Sequence, residues 1–133
     1  MGSGAVLSEN TAVMPSFTID LPGRYVAQLV VNDGEFDSKP DTVAVDTLNS
    51  APVAEAGPDQ TVRVSDVVSL DGSGSSDVDH DPLTYRWTMS EVPVDSAATL
   101  TNKFIVDPAF VADKPGTYRI SLIVNDGQLD SSA

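Results

Sequence analysis

The sequence has no cysteine, few basic residues and no long apolar run, and each shortage excludes a class of protein. Without cysteine, neither a disulfide framework nor a thiolate metal site can form. Seven Lys and Arg stand against twenty Asp and Glu, so the net charge of -13 repels nucleic-acid phosphates and anionic lipid. Apolar runs such as residues 28–31 are too short for a membrane span. We expect no nucleic-acid partner and no membrane partner.

The chain repeats itself at a constant offset of 93 residues. Residues 17–38 match residues 110–131, with identical amino acids at 12 of 22 positions. The match continues weakly upstream, where Ser3, Ala5, Leu7 and Pro15 meet Ser96, Ala98, Leu100 and Pro108. A period of this length is the size of one small β-sandwich. We therefore expect residues 1–47 to be the second half of one repeat and residues 48–133 to be a repeat without its last strand.

Strand signals dominate the sequence, so the predicted fold class is all-β, an immunoglobulin-like sandwich. Short alternating or β-branched segments lie between turns rich in Gly, Pro, Asn and Asp. The predicted strands are residues 25–31, 42–45, 61–64, 67–70, 83–89, 103–106 and 118–124. Alternation predicts that one face of each repeated strand points to the core: Tyr25, Ala27, Leu29 and Val31 in the first copy, and Tyr118, Ile120, Leu122 and Val124 in the second.

Two aromatic features sharpen the sandwich prediction. The single tryptophan, Trp87, alternates with Tyr85 and Leu83, as suits a large residue between two sheets. Pro-Gly-x-Tyr occurs before both Tyr25 and Tyr118, and a tyrosine just after a turn is how a tyrosine corner is built. An ordinary core tyrosine is the alternative at either position, but the recurrence favours one fixed structural role.

Four motifs together resemble the PKD (polycystic kidney disease) domain and its REJ-type relatives. They are Asn49 to Asp59 (NSAPVAEAGPD), Leu70 to Asp79 (LDGSGSSDVD), Leu83 to Trp87 (LTYRW), and Tyr118 with the Asn-Asp-Gly turn at 125–127. The resemblance implies a non-catalytic β-sandwich module of bacterial or archaeal surface proteins or secreted enzymes. One departure is that Trp87 is followed by Thr-Met-Ser-Glu-Val rather than by the family's usual Asp-Phe-Gly-Asp-Gly.

The most acidic loop places carboxylates at alternate positions, Asp77, Asp79 and Asp81. Hard oxygen ligands of this kind suit Ca²⁺, although Pro82 and Thr88 stand where an EF-hand needs Gly and Glu. The resemblance implies a calcium site formed by this loop, the preceding linker and the late Asn-Asp-Gly turn. Its implied ligands are Asn49, Ser50, Asp77, Asp79 and Asp126, with Asp81 as a further candidate. The alternative is that these residues only satisfy turn geometry and remain solvated.

Catalysis is not expected from this sequence. The single histidine, His80, lies between two aspartates in a loop, and no motif supplies a serine nucleophile for it. A carbohydrate- or protein-binding accessory module of a secreted enzyme is the alternative function, although only Phe36 and Phe104 remain as exposed aromatic candidates. The leading hypothesis is an extracellular structural or adhesive repeat at the cell surface, rigidified by calcium and used as a stalk or assembly unit.

The division of the repeats also suggests a partner. Residues 41–47 are the only segment predicted to form strand G, the last strand of such a sandwich. The second copy stops where its own strand G should begin. We expect neighbouring repeats or other copies of the chain to associate head to tail, with residues 1–47 of one chain completing the open sandwich of another by strand addition. The alternative is a trimmed segment of a longer protein with an aggregation-prone edge.

Overall fold

The computed structural model describes residues 2–132 as two compact units, divided between Asn49 and Ser50. The described residues contain six strands and no helix, so none of them form a helix that could cross a membrane. The strands are β1 (Gly23–Leu29), β2 (Asp41–Thr47), β3 (Val67–Ser69), β4 (Thr84–Glu91), β5 (Ala109–Val111) and β6 (Arg119–Asn125). The all-β prediction is confirmed.

The first unit contains one antiparallel pair, β1 with β2. Its register places Tyr25 opposite Val45 and Ala27 opposite Val43, so these four side chains share one face. Tyr25 and Ala27 are half-buried, but Leu29 is 61% exposed and Val31 is 58% exposed. The prediction that Leu29 and Val31 face a core is wrong here, because a two-stranded ribbon offers no second layer to cover them.

The second unit has two antiparallel pairs, β3 with β5 and β4 with β6, packed around one apolar core. Trp87 on β4 lies opposite Leu122 on β6, and both are almost fully buried. The buried cluster consists of Val68, Leu70, Trp87, Phe110, Ala112, Leu122 and Val124. Tyr118 and Ile120 pack against it from partly buried positions. The predicted inward face of this strand and the predicted place of Trp87 are confirmed.

Two predicted strands are wrong. Residues 61–64 are irregular because the chain turns back at Ser65, whose φ is 78°. The amide of Arg63 donates to the Asp66 carboxylate (2.8 Å), and the amide of Asp66 donates to the Arg63 carbonyl (3.1 Å), which closes this turn. Residues 103–106 also form turns, and the strand of this region is instead β5.

The turns at residues 103–106 have a structural role of their own. The Lys103 carbonyl accepts a hydrogen bond from the Trp87 amide (2.8 Å), and the Ile105 carbonyl accepts one from the indole Nε1 (3.0 Å). Because a buried indole N–H needs a partner, this segment gives Trp87 its polar contact while the ring fills the core.

Candidate functional site

The acidic loop follows a short bridge that joins it to the start of the second unit. Val53 and Ser76 exchange two backbone hydrogen bonds of 2.8 and 3.0 Å. Asp77 comes directly after this bridge, so its position is fixed relative to the linker side of the unit. The loop then bends at His80, which is exposed and has a φ of 62°.

Asp77 organises the loop through one carboxylate oxygen. Its Oδ1 accepts hydrogen bonds from the amides of Asp79 (2.7 Å) and Asp81 (3.5 Å), as in an Asx turn. Its Oδ2 is buried and has no hydrogen-bond partner among the residues that the structure describes. A buried carboxylate oxygen without a partner is costly, because the charge has lost its water.

Ser50 and Asp79 tie the beginning of the second unit to the same loop. The Ser50 amide donates to the Asp79 carboxylate at 2.6 Å, and both residues are half-buried. Asp81 is also half-buried. Asn49 is the last residue of the first unit and is half-buried as well.

Asp126 lies directly after β6 and is only 7% exposed. Its Oδ1 accepts hydrogen bonds from the amides of Gln128 (2.7 Å) and Leu129 (2.6 Å), so it closes the Asn-Asp-Gly turn. Burial of a carboxylate at the end of a core strand is unusual for a merely solvated turn residue.

Between residues 2 and 132, no group of three or more His, Cys, Asp and Glu side chains is arranged to hold a metal ion. Carboxylate side chains alone therefore do not form a complete metal site among these residues. Calcium differs from zinc in that backbone carbonyl, amide and water oxygens also serve as ligands. The oxygen-only chemistry of the predicted set fits such a mixed site.

A second carboxylate network, which the sequence motifs did not reveal, supports the tyrosine corner. The Tyr118 hydroxyl accepts a hydrogen bond from the Lys114 amide (2.9 Å) and lies 2.9 Å from both the Lys114 carbonyl and the Asp113 carboxylate. Asp113 also accepts hydrogen bonds from Ser96 Oγ (2.5 Å) and the Ala97 amide (2.7 Å). The Ser96 bond, followed by the Ala97 bond, lowers the pKa of Asp113 to about 2.

The first unit contains the same network. Asp20 accepts hydrogen bonds from Ser3 Oγ (2.5 Å), from the Gly4 amide (2.6 Å) and from the Tyr25 hydroxyl (2.9 Å). The Ser3 bond, then the Gly4 bond, lowers the pKa of Asp20 to about 2. Identity of Ser and Asp at the 93-residue offset was the signal in the sequence that could have revealed this network.

The comparisons with known proteins agree with this architecture. The family model described as "PKD domain" matches residues 49–132. The KIAA0319-like dyslexia-associated protein of Mus musculus is 31% identical over 90% of this chain and 12% of its own length. The KIAA0319 homolog of Rattus norvegicus is 40% identical over 80% of this chain and 10% of its own length. The chain thus spans about a tenth of the length of these relatives.

A bacterial enzyme also contains a similar stretch. Collagenase ColA of Clostridium perfringens is 27% identical over 87% of this chain but only 9% of its own length. Among solved structures, a nucleoside hydrolase-related protein from Saccharophagus degradans superposes with a TM-score of 0.54. It is 23% identical and the match covers 64% of this chain and 24% of that one, so it supports the fold alone.

The PKD domain is a non-catalytic module that occurs in extracellular proteins. The buried tryptophan between two sheets, the tyrosine corner and the match over residues 49–132 identify the same module in this chain. The chain belongs to the PKD domain family.

Proposed function

We propose that this chain is an extracellular structural and adhesive module that serves as a stalk or assembly unit of a larger surface protein. Membership of the PKD family supports a non-catalytic role outside the cell. A net charge of -13 favours solubility and would attract divalent cations. Neighbouring repeats or other copies of the chain are its proposed partners, and a surface glycan or protein is its proposed ligand.

We further propose that calcium rigidifies the module. The observation that carries this proposal is the buried Oδ2 of Asp77, which has no partner among the described residues. A cation would satisfy this oxygen and offset the cost of burying its charge. Asp79, Asp81 and Asp126 would supply further carboxylate oxygens, the Ser50 carbonyl one main-chain oxygen, and the Asn49 side chain an amide oxygen.

Calcium titration of the intact chain tests this site. We expect one saturable site with a dissociation constant of roughly 0.1 to 1 mM, as in other extracellular modules. Asp77→Asn should weaken binding at least tenfold. The matched control is Asp71→Asn, which removes a carboxylate of the adjacent turn that accepts a hydrogen bond from Ser73 (2.9 Å). Equal affinity in the wild type, Asp77→Asn and Asp71→Asn would show only diffuse attraction to an acidic surface.

Carbohydrate binding is the second candidate function, and the position of Phe104 favours it. This ring is 60% exposed, and the Lys103 ammonium lies 5.2 Å from its centroid. Phe104 contributes to a groove of about 400 Å³ lined also by Thr84, Tyr85, Arg86, Ile123, Asn125 and Asp130. An aromatic face beside polar side chains can bind a sugar ring. Binding to a glycan array that Phe104→Ala abolishes and Phe36→Ala preserves would support this candidate.

A further inference from the structure

The strand β4 has one edge that the second unit leaves almost unpaired. β6 pairs along its first edge. On the second edge, the Trp87 amide donates to the Lys103 carbonyl at 2.8 Å. Within residues 2–132, no other backbone hydrogen bond joins this edge to another segment. Residues 92–108, which follow β4 in the sequence, are all described, so the open edge is a property of the fold.

The alternation of an antiparallel ladder identifies the backbone groups on this edge. Trp87 lies opposite Leu122 but bonds to Lys103, so its backbone groups point away from β6. Met89 lies opposite Ile120, two residues further along, and has the same orientation. The Met89 amide and carbonyl therefore point to the second edge, where no described residue forms a backbone hydrogen bond with them. An unpaired edge of this kind is a template for another strand.

A cleft of about 610 Å³ lies along this edge, lined by residues 87–89 and 98–104. Its apolar residues Met89, Ala98 and Leu100 are half-buried and pack against the core. The exposed polar residues of the cleft are Thr88, Thr99, Thr101 and Asn102. Half-buried apolar side chains beside exposed polar ones are the usual composition of a protein-binding surface. The volume also lies in the range of ligand sites, about 300 to 1,000 Å³.

The cleft differs in charge from the rest of the chain. Twenty Asp and Glu give the chain a net charge of -13, yet none of the described residues that line the cleft is acidic. Its one charged residue is Lys103, which is exposed. No ion pair of the described residues includes Lys103, and Glu91, two residues beyond Met89, pairs with Arg119 at 3.2 Å. A partner with negative charge is therefore favoured here.

We propose that the cleft beside β4 binds an extended, acidic peptide segment of a partner protein by strand addition. The peptide backbone bonds to the amide and carbonyl of Met89. Because side chains alternate along a strand, apolar residues at every second position contact Met89 and Leu100, and the Asp or Glu residues between them lie beside Thr88 and within reach of Lys103. This inference rests on the proposed adhesive role, and it names the surface and the chemistry of the ligand.

A short peptide of alternating Glu and Val, acetylated and amidated at its ends, is the probe. Titrated into the intact, isotope-labelled chain and followed by NMR, it should shift the amide signals of Met89, Leu100 and Lys103. The signals of the acidic loop at Asp77 should stay unchanged, because that loop does not line the cleft. A peptide of alternating Lys and Val should bind several-fold more weakly, although the net charge of the chain attracts it.

A charge reversal tests the role of Lys103. Lys103→Glu should weaken binding of the Glu-Val peptide several-fold. The matched control is Lys114→Glu, which makes the same change in net charge at a residue that bonds to Tyr118 through its backbone amide and carbonyl. This control should bind the peptide as the wild type does.

Methylated peptides test strand addition without any change to the protein. One Glu-Val peptide carries N-methyl groups on its valine amides, and a second carries them on its glutamate amides. Successive residues of a strand point their amides to opposite edges. One of the two peptides should therefore lose binding, and the other should retain it.

Four results would overturn the inference. They are the absence of cleft shifts with the Glu-Val peptide, equal weakening by Lys103→Glu and Lys114→Glu, equal affinity of the two methylated peptides, and a dimer of the wild type that Lys103→Glu dissociates. The last result would make a second copy of the chain the occupant of the cleft. Calcium titration at Asp77 involves no residue that lines the cleft, so failure of peptide binding and failure of the calcium proposal are distinguished.

Discussion

The two copies of the repeated segment have the same local structure but different burial. Leu29 is 61% exposed and Val31 is 58% exposed, whereas the equivalent Leu122 and Val124 are 3% and 0% exposed. Both copies nevertheless have a tilted aromatic pair, at centroid distances of 5.6 Å in the first unit and 5.2 Å in the second. The tyrosine corner and the Asn-Asp-Gly turn are local, so each copy forms them alone. In the first unit this turn is closed by Asp33, whose carboxylate accepts hydrogen bonds from the amides of Glu35 and Phe36 at 2.9 Å each, and in the second unit Asp126 closes it in the same way. A core requires opposing strands, and within residues 2–132 the second unit alone has them.

Removal of the indole should be the most damaging change to that core. Trp87→Ala is expected to destabilise the second unit by about 3 to 5 kcal/mol, since it empties a fully buried site. Urea denaturation with circular dichroism measures the loss. Phe104→Ala is the control and should change stability by less than about 0.5 kcal/mol, because its ring is 60% exposed. Native fluorescence that is red-shifted and open to quenchers would contradict the burial of Trp87.

The equivalent leucines give the sharpest contrast between the two units. Leu122→Ala should cost about 2 to 5 kcal/mol, whereas Leu29→Ala should cost less than about 0.5 kcal/mol. The reason is that only Leu122 lies against Trp87 in a closed core. The urea midpoints of the two variants measure these losses of stability. Similar losses of stability at both positions would mean that the first unit has a core as well.

The tyrosine corners should behave more alike than the leucines. Tyr118→Phe removes a hydroxyl that bonds to both backbone groups of Lys114, at 2.9 Å each. We expect a loss of about 1 kcal/mol in thermal unfolding of the second unit. Tyr25→Phe is the matched change, because its hydroxyl makes the same two contacts with Leu21, at 2.6 and 3.0 Å. If Tyr118→Phe loses no stability, this residue acts through the packing of its ring and not through its hydroxyl hydrogen bonds.

The smallest expected effect concerns acid. The pKa of Asp113 is lowered from 3.8 to about 2, mainly by Ser96. A lowered native pKa adds stability that is complete above pH 3.8 and is lost as the pH falls toward 2. Asp113→Asn should therefore reduce the pH dependence of the melting temperature between those limits. An unchanged pH profile in this variant would show that the network does not persist in solution.

Much of the fold was predictable from the sequence because its signals are local or repeated. Alternation marked the inward face of β6, and the lone Trp87 marked the core between the sheets. The β-branched residues at 61–64 wrongly predicted a strand, because the turn at Ser65 overrides their strand propensity. The exposure of Leu29 was not predictable from alternation, because the pattern shows which face is apolar but not whether anything covers it.

The candidate site was predictable only in part. Asp77 and Asp126 were selected by resemblance, and the structure adds that Asp126 is buried and that Oδ2 of Asp77 has no partner among the described residues. Asp113 was missed although it repeats Asp20 at the 93-residue offset, because that identity does not show which side chain it bonds. Its hydrogen bond to Ser96 joins positions 17 residues apart, which only the folded chain brings together.

Thermal unfolding of the intact chain, with and without calcium, tests the central claim most directly. Calcium at about 100 times its dissociation constant should stabilise the second unit by about 2.7 kcal/mol relative to excess chelator. At roughly 4 to 8 °C per kcal/mol for a domain of this size, the melting temperature should rise by roughly 10 to 20 °C. Asp77→Asn should abolish this rise. Asp33→Asn should retain it, because Asp33 closes the Asn-Asp-Gly turn of the first unit, where its carboxylate accepts hydrogen bonds from the amides of Glu35 and Phe36 (2.9 Å each). Identical melting temperatures in chelator and in about 10 mM calcium, a saturating concentration for an extracellular site, would contradict the account.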